Sequence, residues 1–192
     1  VGGSVSWHQD GVTHWNAKNW DEGIHGFNFQ VQLYDTSPRS CLWVVPGSHK
    51  LGKIDIKAKL AANDNSEKLP DAVPLFCDAG DVTIVNRQAL HGSFANTSPD
   101  LRVSLTFGFH RRASVLGAKG ALSEDEAVVY DEARIAQRSE VIGIAIDARS
   151  RYYPNEEAYI YQPIAGKEEQ LLFNQANWLR VIKDYNLKDL SI

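Results

Sequence analysis

The chain has no methionine, and only Cys41 and Cys77 of its 192 residues are cysteines. Starting at Val1 without an initiator, it is expected to be the C-terminal portion of a longer protein. Two cysteines argue against a disulfide framework and make a reducing compartment, the cytoplasm, the default expectation. No apolar run approaches the ~18–20 residues of a membrane-spanning helix, and no signal peptide is visible. Basic residues are not in excess. Lys and Arg number 20 against 24 Asp and Glu, for a net charge of −4, so the basic surface that nucleic acid requires is missing. The partner expected is a small-molecule substrate, with no nucleic acid and no membrane. What is present is ordinary for a globular protein, 43% hydrophobic and 23% charged residues, and long enough for one domain with an appendage.

The first two-thirds of the chain is punctuated like a β protein, with short β-branched and aromatic runs between Gly, Pro, Asn and Asp clusters. Strands are predicted at 5–8, 27–34, 42–45, 73–77, 82–86, 92–95 and 103–109. In the second, Phe29, Val31 and Leu33 share one face while Asn28, Gln30 and Gln32 share the other. Arg102, Ser104 and Thr106 oppose Val103, Leu105 and Phe107 in the same way. Polar inward faces suit a barrel that holds a polar ligand better than a plain sandwich core. Residues 50–70 are polar and read as a surface excursion. A helix is predicted from Ser123, whose acidic followers form a first turn, to about Arg151, and another over about 168–185. The fold class expected is mainly β with flanking helices, residues 1–115 forming the core and 116–192 a helical extension packed on it.

Trp7-His8-Gln9-Asp10 and the distant His91 carry the chemistry. Residues i and i+2 of a strand project to the same side, so one strand edge can offer the imidazole of His8 and the carboxylate of Asp10 to one ion. His91 would supply a third ligand from elsewhere. Two histidines and a carboxylate suit a non-haem Fe(II) oxygenase that keeps coordination positions open. Chance supplies a lone His-x-Asp tripeptide often enough that it means little alone. Arg102, eleven residues past His91, adds a guanidinium, the group best suited to hold a carboxylate by two parallel hydrogen bonds.

This set resembles the phytanoyl-CoA dioxygenase (PhyH) family of Fe(II)/2-oxoglutarate oxygenases, including its ectoine hydroxylase branch. Four local matches occur in family order: Trp7-His8-Gln9-Asp10-Gly11, Val45-Pro46-Gly47-Ser48-His49-Lys50, Gly80-Asp81-Val82, and Leu90-His91-Gly92-Ser93 with Asn96 and Arg102. The resemblance covers Val5 to about His110. It implies a double-stranded β-helix, a cupin-like jelly-roll barrel, whose first strand and part of whose cofactor pocket would precede Val1. It also implies that His8, Asp10 and His91 bind Fe(II) as the catalytic centre, and that Arg102 and Ser93 hold the distal carboxylate of 2-oxoglutarate. The oxidant formed with O2 would hydroxylate an unactivated C–H bond of a small molecule, releasing succinate and CO2. Halogenases of this superfamily replace the carboxylate ligand by a small residue, so Asp10 favours hydroxylation or a related oxidation over halogenation.

Other residues stay open between two readings. Asn28 and Gln30 either touch 2-oxoglutarate or substrate, or satisfy buried polar groups. His14 and Trp15, with Trp20, either line the substrate mouth or pack as filler. Pro46-Gly47-Ser48-His49 reads as a turn, and His25 and His110 as structural. Two rival functions remain, a cupin-like metalloenzyme that does not use 2-oxoglutarate and a non-catalytic barrel domain.

Overall fold

Short extended segments build two antiparallel sheets in the first of two compact units, Val1–Ser114 and Val115–Ser191, in the computed structural model of the protein. The structure describes residues 2–10, 23–121 and 127–182. In chain order the first unit contains β1 (Val5–His8), β2 (Gly26–Gln32), β3 (Leu42–Val44), helix α1 (Ile56–Ala61), β4 (Val73–Leu75), β5 (Val82–Asn86), β6 (His91–Ser93) and β7 (Ser104–His110). One sheet has the order β1-β6-β3-β4 and the other β5-β2-β7. The predicted strands are all present, most of them a residue or two shorter or shifted. A four-residue helix, α2 (Arg112–Val115), follows β7.

The β5-β2-β7 sheet is polar on its cavity side. Asn28 pairs with Val85 and Gly108, and Gln30 with Thr83 and Thr106. These residues belong to the face that the alternation assigns inward. The opposite face is apolar and open, with Ile84 65%, Phe107 51% and Leu105 48% exposed. The buried apolar core of this unit therefore lies against the other sheet. Trp7, Val45, Leu69 and Leu90 form it, with Trp43, Ile54, Ile56, Leu60 and Ala72 packed around them.

Residues 50–70 lie mostly at the surface, as read, but the segment also gives this core the buried Leu69 and the packed Ile54, Ile56 and Leu60. Asp55 caps α1 by accepting from the Ala58 N–H, a local hydrogen bond that satisfies an otherwise orphaned donor. Ile56 and Leu60 then pack against the buried cluster of Trp7, Val45, Leu69 and Leu90. The segment looked polar because its exposed positions outnumber the few apolar ones it buries. Trp7 is fixed further by donating its indole N–H to the Glu67 carbonyl at 2.8 Å.

Three motif residues have structural duties here. Gly47 adopts a left-handed φ of 77°, which glycine tolerates without strain, and starts the turn Ser48–Lys50. Ser48 is fully buried. Its hydroxyl donates to the Val45 carbonyl at 2.6 Å and accepts from the Leu90 N–H at 2.7 Å. Gly92 lies where β6 crosses β1, and a Cβ there would stand 3.0 Å from the Val5 carbonyl oxygen.

The second unit holds a short hairpin, β8 (Lys119–Ala121) with β9 (Ala127–Val129), then helices α3 (Glu132–Tyr152) and α4 (Gln175–Ile182). The predicted cap Ser123 lies outside the described residues. The observed cap of α3 is Asp131, which accepts from the Arg134 N–H. Gly143 on α3 leaves room for Leu171 and Ile164, and these two cluster with Ile144. The predicted last helix is replaced at its start by a single tight turn, Glu168–Gln170.

Ser48→Ala is expected to destabilise the protein by about 1–3 kcal/mol, because it leaves the buried Leu90 N–H without an acceptor. Urea unfolding monitored by tryptophan fluorescence measures the loss.

Candidate metal centre

Pairing of β1 with β6 brings the two histidines together. Val5 lies opposite Ser93, but His8 lies opposite His91, so β1 carries one extra residue between them. Such a bulge re-aims a side chain. The imidazole rings end 4.1 Å apart, centroid to centroid. His8 Nδ1 is 2.7 Å from the Ser6 carbonyl oxygen, and His91 Nδ1 is 2.9 Å from that of Ala89. A carbonyl can only accept, so each Nδ1 carries the proton and each Nε2 presents a lone pair.

Asp10 comes just beyond β1, its N–H bonded to the Arg87 carbonyl at 2.8 Å. Its Oδ1 is 3.4 Å from His8 Nε2, and its Oδ2 is 3.9 Å from His91 Nε2. One ligand atom from each of the three residues lies within 4.8 Å of the others. A single ion with bonds of about 2.0–2.2 Å can draw that set together.

The charges agree with this geometry. Burial pushes the Asp10 carboxyl up, but the His8 hydrogen bond, the positive fields of His91 and Arg87 and the Asn28 hydrogen bond outweigh it and hold the group below its ordinary range. The bond to Asp10 raises His8 above 6.5, against a smaller effect of burial. Burial, then the neighbouring His8, lowers His91. Asp10 is thus held ready as an anion, and a proton on His8 competes with a cation for the same ground.

The three groups line one cavity of about 340 Å³ that also takes in Ser93, Arg102, Asn28 and Gln30. The Ser93 hydroxyl and the Thr83 hydroxyl are buried without hydrogen-bond partners among the described residues, and both residues line this space. Arg102 donates Nη1 to the Ser40 carbonyl at 3.1 Å, and no Asp or Glu among the described residues pairs with it. A bifunctional anion fits such a site, with one end at the imidazole–carboxylate cluster and the other at a guanidinium and a hydroxyl that lacks a partner. Gln30 accepts from Gln32 Nε2 at 3.1 Å and reaches Thr106 Oγ1 at 3.4 Å. His14, Trp15 and Trp20 lie outside the described residues.

Two residues of the site went unread in the sequence. Buried Gln9 donates Nε2 to the Gln88 and Gly52 carbonyls at 2.8 and 3.1 Å and accepts from the Ile54 N–H at 2.9 Å. It anchors the backbone between His8 and Asp10. Arg87 donates Nη1 to Asn28 Oδ1 at 2.5 Å, and Asn28 Nδ2 donates to Asp10 Oδ2 at 2.8 Å. Gln9 fills the unspecified middle position of the His-x-Asp motif, and Arg87 lies in none of the four matched segments. Only the strand register, which places Asn28 opposite Gly108, could have exposed the second.

The chain is expected to bind one divalent ion. His91→Ala should cost more than the ~10–100-fold that losing a ligand's hydrogen-bond partner costs, as read by calorimetric titration. Wild-type affinity should also fall as pH drops through the raised pKa of His8, with proton release on metal uptake below that point.

The phytanoyl-CoA dioxygenase (PhyH) family model matches residues 1–104. Phytanoyl-CoA dioxygenase 1 of Oryza sativa subsp. japonica is 30% identical over 113 residues, which cover 55% of this chain and 38% of that protein. The chain therefore spans under half the length of the curated relative it matches. Among solved structures, EvdMO1 is 28% identical with a TM-score of 0.44, over 57% of this chain and 24% of that one. EctD from S. alaskensis, solved with 2-oxoglutarate and 5-hydroxyectoine, is 22% identical with a TM-score of 0.45, over 61% and 41% of the two chains. The family match covers both histidines, the carboxylate and Arg102, and the chain belongs to the phytanoyl-CoA dioxygenase family, whose members use Fe(II) and 2-oxoglutarate.

Proposed function

We propose that the chain carries the catalytic core of an Fe(II)- and 2-oxoglutarate-dependent dioxygenase that hydroxylates an unactivated C–H bond of a small molecule, built on a double-stranded β-helix. The observation that carries this reading is one cavity shared by the His8–Asp10–His91 cluster and by Arg102. A metal site alone would fit many chemistries. A guanidinium in the same polar space selects a co-substrate with a second carboxylate.

His8, Asp10 and His91 would hold Fe(II) through Nε2, one carboxylate oxygen and Nε2. Arg102 and Ser93 would receive the distal carboxylate of 2-oxoglutarate, with Gln30 along the wall. When bound, Fe(II) and 2-oxoglutarate would supply the oxidising chemistry with O2 as oxidant, and succinate and CO2 would be the co-products of the hydroxylated substrate. The protein's share is placement. The carbonyls of Ser6 and Ala89 fix the imidazoles, and a pre-set ligand geometry lowers the reorganisation needed at reaction. Asp10 supports hydroxylation over halogenation, since its carboxylate takes the position that a halide would need. His14 and Trp15 are assigned to the substrate mouth on the sequence alone. The free thiols of Cys41 and Cys77 suit a reducing compartment, the cytoplasm.

The test is oxygen-dependent formation of succinate from 2-oxoglutarate with Fe(II). Arg102→Ala is expected to leave metal affinity unchanged and to raise the 2-oxoglutarate requirement roughly 10–150-fold, the equivalent of about 1.5–3 kcal/mol for a charged hydrogen-bond partner. An unchanged requirement would favour a metalloenzyme that does not use 2-oxoglutarate.

A further inference from the structure

Arg87 is largely buried beside the ligand cluster without being a ligand. It follows β5, and its side chain lies on the cavity face of the β5-β2-β7 sheet across two glycines. A Cβ on Gly26 would stand 2.6 Å from the Phe109 carbonyl oxygen and 2.8 Å from Arg87 Cδ, and one on Gly108 would stand 2.5 Å from Arg87 Nη1. No side chain larger than hydrogen fits at either place with the arginine in this position. The bare floor allows the guanidinium to run flat along the sheet and end at Asn28 Oδ1, 2.5 Å away.

That contact decides which way the Asn28 amide faces. A guanidinium has donors only, so the atom of Asn28 turned towards it must be the oxygen. The amide nitrogen then has to face Asp10, and it donates to Oδ2 at 2.8 Å. Asp10 Oδ2 is thereby engaged, while Oδ1 takes no bond from Asn28 and faces His8 Nε2 at 3.4 Å. With Asn28 flipped, two oxygens would face each other and the carboxylate could turn. The Asp10 N–H bonded to the Arg87 carbonyl at 2.8 Å fixes the backbone of the same residue.

We propose that Arg87 is a positioning residue for the metal centre: it locks the Asn28 amide so that Asp10 offers one defined oxygen to the ion. This rests on the reading of His8, Asp10 and His91 as metal ligands. It assigns Asn28 to the carboxylate ligand, since both of its amide atoms are used within the protein.

A purely electrostatic role predicts the opposite result. Arg87 Nη2 lies 3.8 Å from Asp10 Oδ2, and deleting a positive charge there would strengthen the binding of a dication. A positioning role predicts weaker binding on the same deletion.

Co(II) titrated into the metal-free full chain, followed by calorimetry and visible absorption, separates the two. Arg87→Met, Asn28→Ala and Gly108→Ala are each expected to weaken Co(II) binding about 10–100-fold and to shift the Co(II) bands. The Arg87→Met/Asn28→Ala double variant should bind no more weakly than Asn28→Ala alone, because Arg87 acts through Asn28. Should Arg87→Met not fold, Gly108→Ala carries the same test, since it keeps every charge and displaces chiefly the guanidinium, whose Nη1 would lie 2.5 Å from the added Cβ against 3.3 Å for Asn28 Oδ1. Tighter or unchanged binding with unshifted bands in a folded Arg87→Met or Gly108→Ala variant would overturn the inference. Multiplicative losses in the double variant would overturn it too. Failure of the wild-type chain to take up Co(II) would instead overturn the metal reading on which it stands.

Discussion

The antiparallel pairing of β1 with β6 is the constraint on which the site depends. It sets His8 opposite His91 through a single extra residue in β1, and both strand segments are tied down on the side away from the cavity. Trp7 is sunk in the core with Leu90, each next in sequence to a metal-binding candidate. Ser48 holds the Leu90 N–H, and Gln9 holds the chain between His8 and Asp10. The apolar core and the ligand cluster are thus opposite sides of one short pairing. Loosening one moves the other, as the period-two geometry of strands requires.

The second sheet meets a different demand. Its polar side lines the cavity, where Gln30, Thr83 and Thr106 meet, and its apolar side faces out. Polar side chains inside a protein cost free energy unless partnered. The sheet answers this partly by pairing them, as Gln32 does with Gln30. The hydroxyls of Ser93 and Thr83 have no partner among the described residues, and unpaired groups of that kind mark where a polar ligand would recover the loss.

Much of this was legible in the sequence, and for physical reasons. The alternation of Asn28, Gln30 and Gln32 with Phe29 and Val31 reports a sheet with one polar face, because side-chain direction follows a period of two. The His8, Asp10 and His91 set reports a metal because those donors suit one and little else explains them in that company. Secondary structure governed by a few apolar contacts was not legible. Residues 50–70 hide α1 and the buried Leu69, because a short helix needs only Ile56 and Leu60 to dock. The bulge in β1 was not legible, since an extra residue leaves no mark on composition. Arg87 was invisible for a related reason. Its role depends on Gly26 and Gly108, which are far apart in sequence and adjacent only through strand register.

The position of Arg87 also shows how the site weighs charge against geometry. A cation beside a ligand carboxylate draws on the same negative charge that must attract the metal, so by Coulomb's law alone it is unfavourable for metal binding. Burial acts the other way on the carboxylate. It pushes the Asp10 carboxyl up, and without compensation the group would bind a proton more readily. The His8 contact first, then His91, Arg87 and the Asn28 amide, reverse that tendency together. The arginine weakens the carboxylate's attraction for a dication but helps keep it ionised, and through Asn28 it fixes which oxygen faces His8. An amide alone would leave Asp10 less firmly ionised. A guanidinium alone, 3.8 Å from Oδ2, would draw on the carboxylate's charge without setting its direction. The two in series, lying over two glycines, do both.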